Sequence, residues 1–257
     1  MRTLAASLSL AILGAATSGC GPLDVGSDLI WTSRFETGDF SEWTGIAGGN
    51  AQAFPVPPNA IAVSDGQVHR GDRAAALSIS AGSDSAQENA VLSRAGGLPA
   101  EAYYSAWYYL PRSVSVGTFW VIFKFRTRGT ADDSSSTTEL YDLDLATLPS
   151  GEMTLRLYDH GTMADIPLDV ASPIVPVESW FQLEAFYRPA ADATGHLTFW
   201  LDGQQVLDLN GPLTGTSWVE WDVCSVGENL TPQMVTIYVD DCAVSRSRVG
   251  PVGQLAL

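Results

Sequence analysis

A basic pair on a strand-like stretch is the first feature of this sequence that could do chemistry. The segment TFWVIFKFR, residues 118–126, alternates with period two, so Lys124 and Arg126 share one face. Lys124 is the only lysine in a chain with a formal net charge of −16. Two cations at the end of a central strand of an acidic protein could hold an acidic ligand. The alternative is that both cations pair with carboxylates of the chain itself. Candidates for that pairing are Asp132, Asp133 and Glu184.

The opposite face of the same stretch is predicted to be core. It carries Phe119, Val121, Phe123 and Phe125, all of them apolar. Comparable alternation recurs along the chain, and no segment has the sustained apolar spacing of a helix. An Asp-Gly turn signal between two such runs, at 202–203, indicates an antiparallel hairpin. The sequence therefore predicts an all-β protein, an antiparallel sandwich or barrel, built as a single domain.

The N-terminal residues are predicted to be a targeting segment. Arg2 supplies a positive charge, an apolar run follows, and small residues lead into Cys20. This ending resembles a bacterial lipobox, so residues 1–20 are interpreted as a lipoprotein signal peptide. Cys20 would then carry the lipid, with residues 21–29 as a short tether. Thr17 stands where leucine is usual, which keeps ordinary secretion as the alternative. Both interpretations predict a protein of the bacterial cell envelope or one that is secreted.

Composition narrows the range of partners. The 29 acidic residues against 13 basic ones argue against nucleic acid, which would be repelled except at a local basic site. The apolar run near the N-terminus is too short to span a membrane. We therefore expect membrane contact only through the N-terminal lipid, and a monomeric protein.

The remaining cysteines predict a disulfide. If Cys20 carries lipid, Cys224 and Cys242 are left as an even pair in an oxidising compartment. They fall on two strand-like segments that a short loop joins. Two buried free thiols are the alternative.

Several stretches together resemble the bacterial heparin lyase I family. That family belongs to the concanavalin A-like jelly rolls, which also include alginate and glucuronan lyases. The resemblance covers roughly residues 30–245 and implies a two-sheet antiparallel β-sandwich, with one jelly-roll domain over residues 30–250. The stretches that carry it are FETGDFSEW, VHRGDRAAAL, FWVIFKFRTR, WFQLEAFYRPAADATGHLTFWLDG and LTPQMVTIYVDDCAVS.

The resemblance also implies where a ligand would bind. In these jelly rolls the glycan lies across the concave face of one sheet, and alternation would place polar side chains of three strands on that face. An ordinary solvated sheet face is the alternative. The side chains implied as substrate-binding are Lys124, Arg126, Arg156, Trp180, Gln182 and Glu184.

Lyase chemistry needs a base for the proton α to the uronate carboxyl, an acid for the leaving oxygen, and groups that neutralise the carboxylate. Related lyases carry Gln-x-His on the strand that FWVIFKFR resembles and a tyrosine on a late strand. Here Lys124-Phe125-Arg126 replaces that triplet, and residues 221–226 contain no tyrosine. Tyr158 and His160 are the predicted substitutes as base and acid. The expected function is binding, with or without cleavage by β-elimination, of an acidic uronate-containing polysaccharide. The alternative is a non-catalytic carbohydrate-binding lipoprotein.

A structural calcium ion is a further implication of the resemblance. Modules of this kind often hold calcium between an early Phe-Glu, a carbonyl of the first glycine turn and an aspartate on the last strand. Glu36, Gly71 and Asp240 occupy the matching positions, and oxygen ligands suit this cation. The alternative is that Glu36 pairs with Arg73 while the aspartates face solvent.

Overall fold

The computed structural model describes residues 28–43, 58–83, 86–128, 137–213 and 219–251. The predicted signal peptide, the lipidation of Cys20 and most of the predicted tether lie outside these ranges. Within them every regular element is a β-strand. The same residues include no helix of the length and apolar character needed to cross a membrane.

The strands follow the β-prone runs of the sequence, which are rich in β-branched and aromatic residues. The hairpin of β12 and β13 turns through Asp202 and Gly203, whose φ angles of 48° and 79° are the positive values that a type I′ turn requires. This turn confirms the prediction from the Asp-Gly pair. The strands are β1 (Leu29–Ser33), β2 (Ala60–Ser64), β3 (Ala74–Ser80), β4 (Glu88–Ala95), β5 (Ala102–Tyr109), β6 (Ser115–Arg128), β7 (Thr137–Thr147), β8 (Met153–Asp159), β9 (Ala164–Ile166), β10 (Ile174–Val175), β11 (Trp180–Arg188), β12 (His196–Leu201), β13 (Gln204–Asn210), β14 (Val219–Thr231) and β15 (Met234–Ser245).

Two antiparallel sheets form the protein. The first sheet has the strand order β13-β12-β11-β5-β15-β3-β2, with β1 paired to β15. The second has the order β10-β8-β7-β6-β14-β4, with β9 paired to β8. This arrangement confirms the all-β, two-sheet antiparallel jelly roll. The long strands β6 and β14 lie side by side in the middle of the second sheet, where they can position side chains on its outer face.

Aromatic side chains fill the space between the sheets. Trp120 and Trp221 from the second sheet and Tyr108 from the first are fully buried in one continuous core. Their polar atoms mostly find partners inside it: Trp120 Nε1 donates to Ser225 Oγ at 2.9 Å, and the Tyr108 hydroxyl donates to the carbonyl of Ile122 at 3.2 Å. Large buried rings with paired polar atoms make the two sheets one rigid support.

A β-bulge in β6 changes which side chains of this strand face the core, compared with the prediction. Ile122 and Phe123 are consecutive, yet both belong to the core, and the pairing with β7 shifts register at this point. The extra residue of such a β-bulge reverses the alternation of the strand. Phe123 and Phe125 are therefore core as predicted, whereas Phe119 and Val121 lie on the opposite, outer side of the sheet. The prediction was wrong for these two residues because strict period two cannot detect a bulge.

The predicted disulfide is also corrected. Cys224 and Cys242 are both free and fully buried. Cys224, on β14, packs with Val121 and Val226 on the outer side of the second sheet, whereas Cys242, on β15 of the first sheet, belongs to the core between the sheets. A disulfide needs its two Cβ atoms about 4 Å apart, and here a layer of backbone separates them.

Candidate functional site

A groove crosses the outer face of the second sheet. Two adjoining cavities of about 260 and 340 Å³ form it, and both are lined by Gln87, Lys124 and Val226. The first cavity extends over β7 and β8, and the second extends over β14 and β4. Because five neighbouring strands contribute, with about 4.8 Å between strands, the groove is about 19 Å across. We use "the groove" for this surface throughout.

Lys124 lies at the centre of the groove. Its side chain is almost completely buried, with Nζ at 2.7 Å from Glu139 Oε1 and 3.4 Å from Asp142 Oδ2. Burial alone would lower the pKa of Lys124, but the charges of Asp142 and Glu139 outweigh it and the net shift is upward. The same contact lowers the pKa of Glu139, against the effect of its own burial. Lys124 is thus permanently charged, and its ammonium is already paired with Glu139 and Asp142.

Arg126, also on β6, lies on the side of the groove that faces β14. Its guanidinium lies 3.4 Å from Glu139, 3.4 Å from Glu220 and 3.3 Å from Asp222. These charges hold the pKa of Arg126 above its usual value although burial opposes them. Burial raises the pKa of Asp222, which is fully enclosed. Both predicted basic residues are therefore in the groove, and both are paired with carboxylates of the chain.

Arg156 is the third arginine or lysine of the groove that pairs with a carboxylate. Its Nη2 and Nε atoms lie 2.5 and 3.1 Å from Asp144 Oδ2. Asp144 is almost completely buried, and burial raises its pKa to about 6 even though Arg156 acts in the opposite direction. Burying the ionised form of Asp144 therefore costs more free energy than the ion pair with Arg156 recovers.

Tyr158 and His160, the predicted catalytic pair, lie together in the first cavity. Their ring centroids are 5.0 Å apart with the planes nearly perpendicular. His160 Nε2 is 2.9 Å from Asp142 Oδ2, and Nδ1 is 3.6 Å from Glu139. The hydrogen bond to Asp142 is the main reason that the pKa of His160 is raised. This environment favours the imidazolium form, which is the form that can donate a proton.

Sequence reasoning missed the acidic half of the groove. Five carboxylates face the cations there, and they come from two strands that the prediction left out. A signal was present, since Asp142 and Asp144 share a face by alternation and both adjoin the Lys124 strand once β6 and β7 pair. The five are Glu139, Asp142 and Asp144 on β7, and Glu220 and Asp222 on β14.

Three predicted substrate-binding residues lie elsewhere. Trp180, Gln182 and Glu184 belong to β11, which pairs with β5 and β12 in the first sheet. Their side chains point away from the core on the far side of the molecule, so they cannot share a ligand with Lys124. The prediction was wrong because alternation reveals which side chains share a face, but not to which of two sheets a strand belongs.

The predicted calcium ligands surround one turn of the chain. Glu36 Oε1 accepts hydrogen bonds from the amides of Asp72 and Arg73, and Asp240 accepts from the amides of His69, Arg70 and Asp241. Gly71 lets Glu36 approach, because a Cβ there would lie 2.1 Å from its Oε1. Both oxygens of Asp240 are taken by N–H donors, an arrangement that fits a metal-free turn. Calcium at Glu36, Gly71 and Asp240 stays a prediction.

Among the residues that the structure describes, one other group of side chains has metal-ligand character. Glu139, Asp142 and His160 bring their ligand atoms within 4.8 Å of one another. Lys124 Nζ, however, contacts both of these carboxylates. An ammonium therefore occupies the position in which a cation would lie.

Comparison with solved structures supports the jelly-roll fold. No protein-family model matches the chain, and a search of curated proteins gives no match. Among solved structures, an endo-β-1,4-glucuronan lyase from the fungus Trichoderma reesei superposes with a TM-score of 0.61 at 13% identity, covering 85% of this chain and 96% of that one. An alginate lyase in complex with alginate trisaccharide gives 0.55 at 12%, covering 85% and 98%. An alginate lyase from Aplysia kurodai gives 0.56 at 11%, covering 85% and 99%.

These likenesses show the fold alone. The chain shares its jelly-roll fold with these three lyases over nearly the whole length of each. At such identities the likeness extends to the fold and not to the chemistry of the site. The narrower resemblance to the heparin lyase I family stays a prediction.

Proposed function

We propose that the protein binds a polysaccharide along the groove. The observation that supports this best is the groove itself, a long open surface on paired strands that charged and apolar side chains line together, in a fold shared with polysaccharide lyases. A glycan chain needs an extended open surface with fixed polar groups, in contrast to the closed, mostly apolar pocket of a small molecule. Side chains held by ion pairs on β6, β7, β8 and β14 provide such a surface without a large change of shape on binding.

Calorimetric titration of the secreted or detergent-solubilised protein against a panel of polysaccharides tests this proposal. We expect a Kd in the micromolar range or below for at least one glycan. Gln87 and Tyr158 both line the groove, and Gln87 is exposed, so the double variant Gln87→Ala/Tyr158→Ala should fold and bind at least tenfold more weakly. Trp180→Ala, on the first sheet, is the matched control and should bind normally. Equal loss in both variants, or no binding to any glycan, would contradict the proposal.

Cleavage of a uronate glycan by β-elimination is the second candidate. The specific observation in its favour is the Tyr158–His160 pair beside Lys124 in the first cavity. In such a reaction Tyr158, as the phenolate, would take the proton α to the carboxyl, and His160, held as imidazolium by Asp142, would protonate the leaving oxygen. The electrons of the broken C–H bond then form the double bond as the C–O bond breaks.

The unsaturated uronate product absorbs in the ultraviolet, so cleavage is measured directly on glucuronan, alginate and heparan-type substrates. An absorbance rise that Tyr158→Phe and His160→Gln both abolish would support the lyase with this pair. A rise that survives both changes would retain the lyase but exclude the pair. Binding without any rise would leave the protein as a polysaccharide-binding protein.

A further inference from the structure

We infer that the glycan held in the groove is uncharged, and that its hydroxyl groups donate hydrogen bonds to the buried carboxylates Asp142 and Asp144. This inference rests on the proposed function, because it specifies the ligand of the same groove. It differs from the sequence expectation of an acidic glycan. The two expectations predict opposite orders of affinity, so one set of measurements distinguishes them.

The unpartnered oxygen atoms of the first cavity provide the first argument. Asp142 and Asp144 are only 6% and 2% exposed, both line this cavity, and the Oδ1 atom of each lacks a hydrogen-bond partner. Buried polar atoms in folded proteins almost always have a partner, and exceptions often mark a place where a ligand or water completes the set. An ionised carboxylate can only accept, so the missing partner must be a donor.

The second cavity also contains carboxylate oxygens without a well-aligned hydrogen-bond partner. Neither oxygen of Asp222 makes an aligned hydrogen bond, although the guanidinium of Arg126 and the hydroxyl of Ser93 lie beside it. Carboxylate oxygens without a well-aligned hydrogen bond thus extend along the groove from β7 to β14. Sugar hydroxyls are donors that recur along a glycan at regular intervals and can reach several such acceptors at once.

Charge balance provides the second argument. Three permanent cations of the groove, Lys124, Arg126 and Arg156, face the five carboxylates of β7 and β14, with the exposed Asp165 as a sixth near Arg156, and each cation already contacts at least one of the five. A uronate carboxylate is itself only an acceptor, so it could neither satisfy the free oxygens nor find an unpaired cation. In a chain of net charge −16 it would also be repelled at longer range.

A metal ion is a weaker explanation of the same oxygens. The Glu139, Asp142 and His160 group is the one set of metal-ligand geometry found among the described residues, and the ammonium of Lys124 lies against it. The ammonium contacts Oδ2 of Asp142 and not the unpartnered Oδ1, and it would repel a divalent cation.

Matched oligosaccharides test the inference on the unmodified protein. Cellohexaose, a β-1,4-glucuronan hexamer and a chitosan hexamer share one backbone. They differ in one substituent per sugar, a C6 carboxylate in glucuronan and a C2 ammonium in chitosan, and β-1,4-mannohexaose with a mannuronan hexamer forms a second matched set. We expect a neutral hexamer to bind at least tenfold more tightly than its uronate counterpart, with little change between low and high salt. A tighter or strongly salt-dependent uronate complex would overturn the inference and leave the proposed function standing, as would a preference for chitosan. Failure of all hexamers and polysaccharides to bind would instead remove the proposed function.

A pair of variants tests the role of the buried acceptor. Asp144→Asn replaces one acceptor oxygen by a donor and should weaken neutral binding at least tenfold while reducing the preference over uronate. Asp165→Asn removes a charge that also lies near Arg156, but this residue is exposed, and the variant should leave affinity within about twofold. Similar losses in both variants would contradict recognition by the buried oxygen. A melting curve establishes that each variant folds, and if Asp144→Asn does not, the hexamer and salt comparisons alone decide.

Discussion

Both sheets carry buried carboxylates on their outer faces, but the two faces use them differently. On the first sheet, Glu184 is fully buried and both of its oxygens have hydrogen-bond partners: Arg248 Nε donates at 3.0 Å, the Val249 amide donates at 2.6 Å, and the Gly250 amide lies 3.3 Å from each oxygen. On the second sheet, Asp142, Asp144 and Asp222 keep oxygens without partners.

The partners of Glu184 show what the first face does. They all belong to the segment after β15, which crosses β11, and Gln182 Nε2 also donates to the carbonyl of Gly250 at 3.0 Å. Arg248 lies over the ring of Trp200 at 4.4 Å. The polar residues of β11 thus attach the end of the described chain to the sheet. Gln182 Oε1 is left without a partner, but that atom carries no charge.

This difference indicates that the outer face of the first sheet has a structural role and that the groove of the second sheet is the binding site. A buried charge whose partners come from its own chain stabilises one conformation, whereas a buried charge with unused acceptors is an energetic cost that a ligand can repay. In the sequence, both faces have the same pattern of alternating polar residues. Only the pairing of strands distinguishes them, and the predictions below test the distinction from the largest expected effect to the smallest.

Replacing the central cation should have the largest effect on stability. Lys124→Met leaves the buried Asp142 without its ammonium, and breaking a buried pair in this way costs about 3–5 kcal/mol. Urea unfolding followed by fluorescence measures the change. Arg188→Met is the matched control, because the pair of Arg188 with Glu101 is exposed and should contribute about 0–1 kcal/mol. Equal effects of the two variants would show that the groove ion pairs are ordinary surface pairs.

Replacing the carboxylate of the first sheet should have a smaller effect and no effect on binding. Glu184→Gln keeps the volume but loses charge-assisted hydrogen bonds to Arg248 and two amides, a loss of about 2 kcal/mol. Limited proteolysis should cut the segment after residue 245 more readily in the variant. Glycan affinity should be unchanged, and a tenfold loss would mean that the two faces are not independent.

The contribution of Asp144 to the pH dependence of stability should have the sign expected for a carboxyl group whose pKa is raised by burial. Burial raises the pKa of Asp144 to about 6, so between its unfolded pKa and 6 the native state binds more protons than the unfolded state. Stability from this group is therefore present at low pH and is lost as the pH rises through 6. Lowering the pH from 7 to 5 should stabilise the wild type by about 1 kcal/mol more than Asp144→Asn. The comparison with the variant removes the contribution of Asp240, whose pKa burial also raises to about 6.

The sequence predicted the fold well because jelly-roll strands alternate and end in strong turn signals. It also placed Lys124, Arg126, Arg156, Tyr158 and His160 together, since these residues lie on strands that pair closely in the second sheet. It could not assign β11 to a sheet, because that assignment depends on long-range pairing with β5 and β12.

The acidic half of the groove was missed for a related physical reason. A carboxylate on a strand face has the same local pattern whether it lies in water or beside a buried lysine. Asp144 and Asp222 become distinctive only through their burial and through the missing partners of their oxygens. The bulge in β6 adds to the difficulty, since it exchanges the faces of Phe119 and Val121 without any glycine or proline to mark it.

The smallest expected effect concerns the thiols, where the two sheets differ once more. Cys224 packs on the groove side of the second sheet, Cys242 packs in the core, and both are free, so a reducing agent should leave the melting temperature unchanged. Burial raises the pKa of each thiol, which disfavours the thiolate and keeps both unreactive in the folded state. Alkylation without reductant, followed by peptide mass spectrometry, should label Cys224 and Cys242 only after unfolding. A disulfide-linked peptide that joins Cys224 and Cys242 would contradict this packing. It would show that the groove side of the second sheet and the core are not separated at these residues.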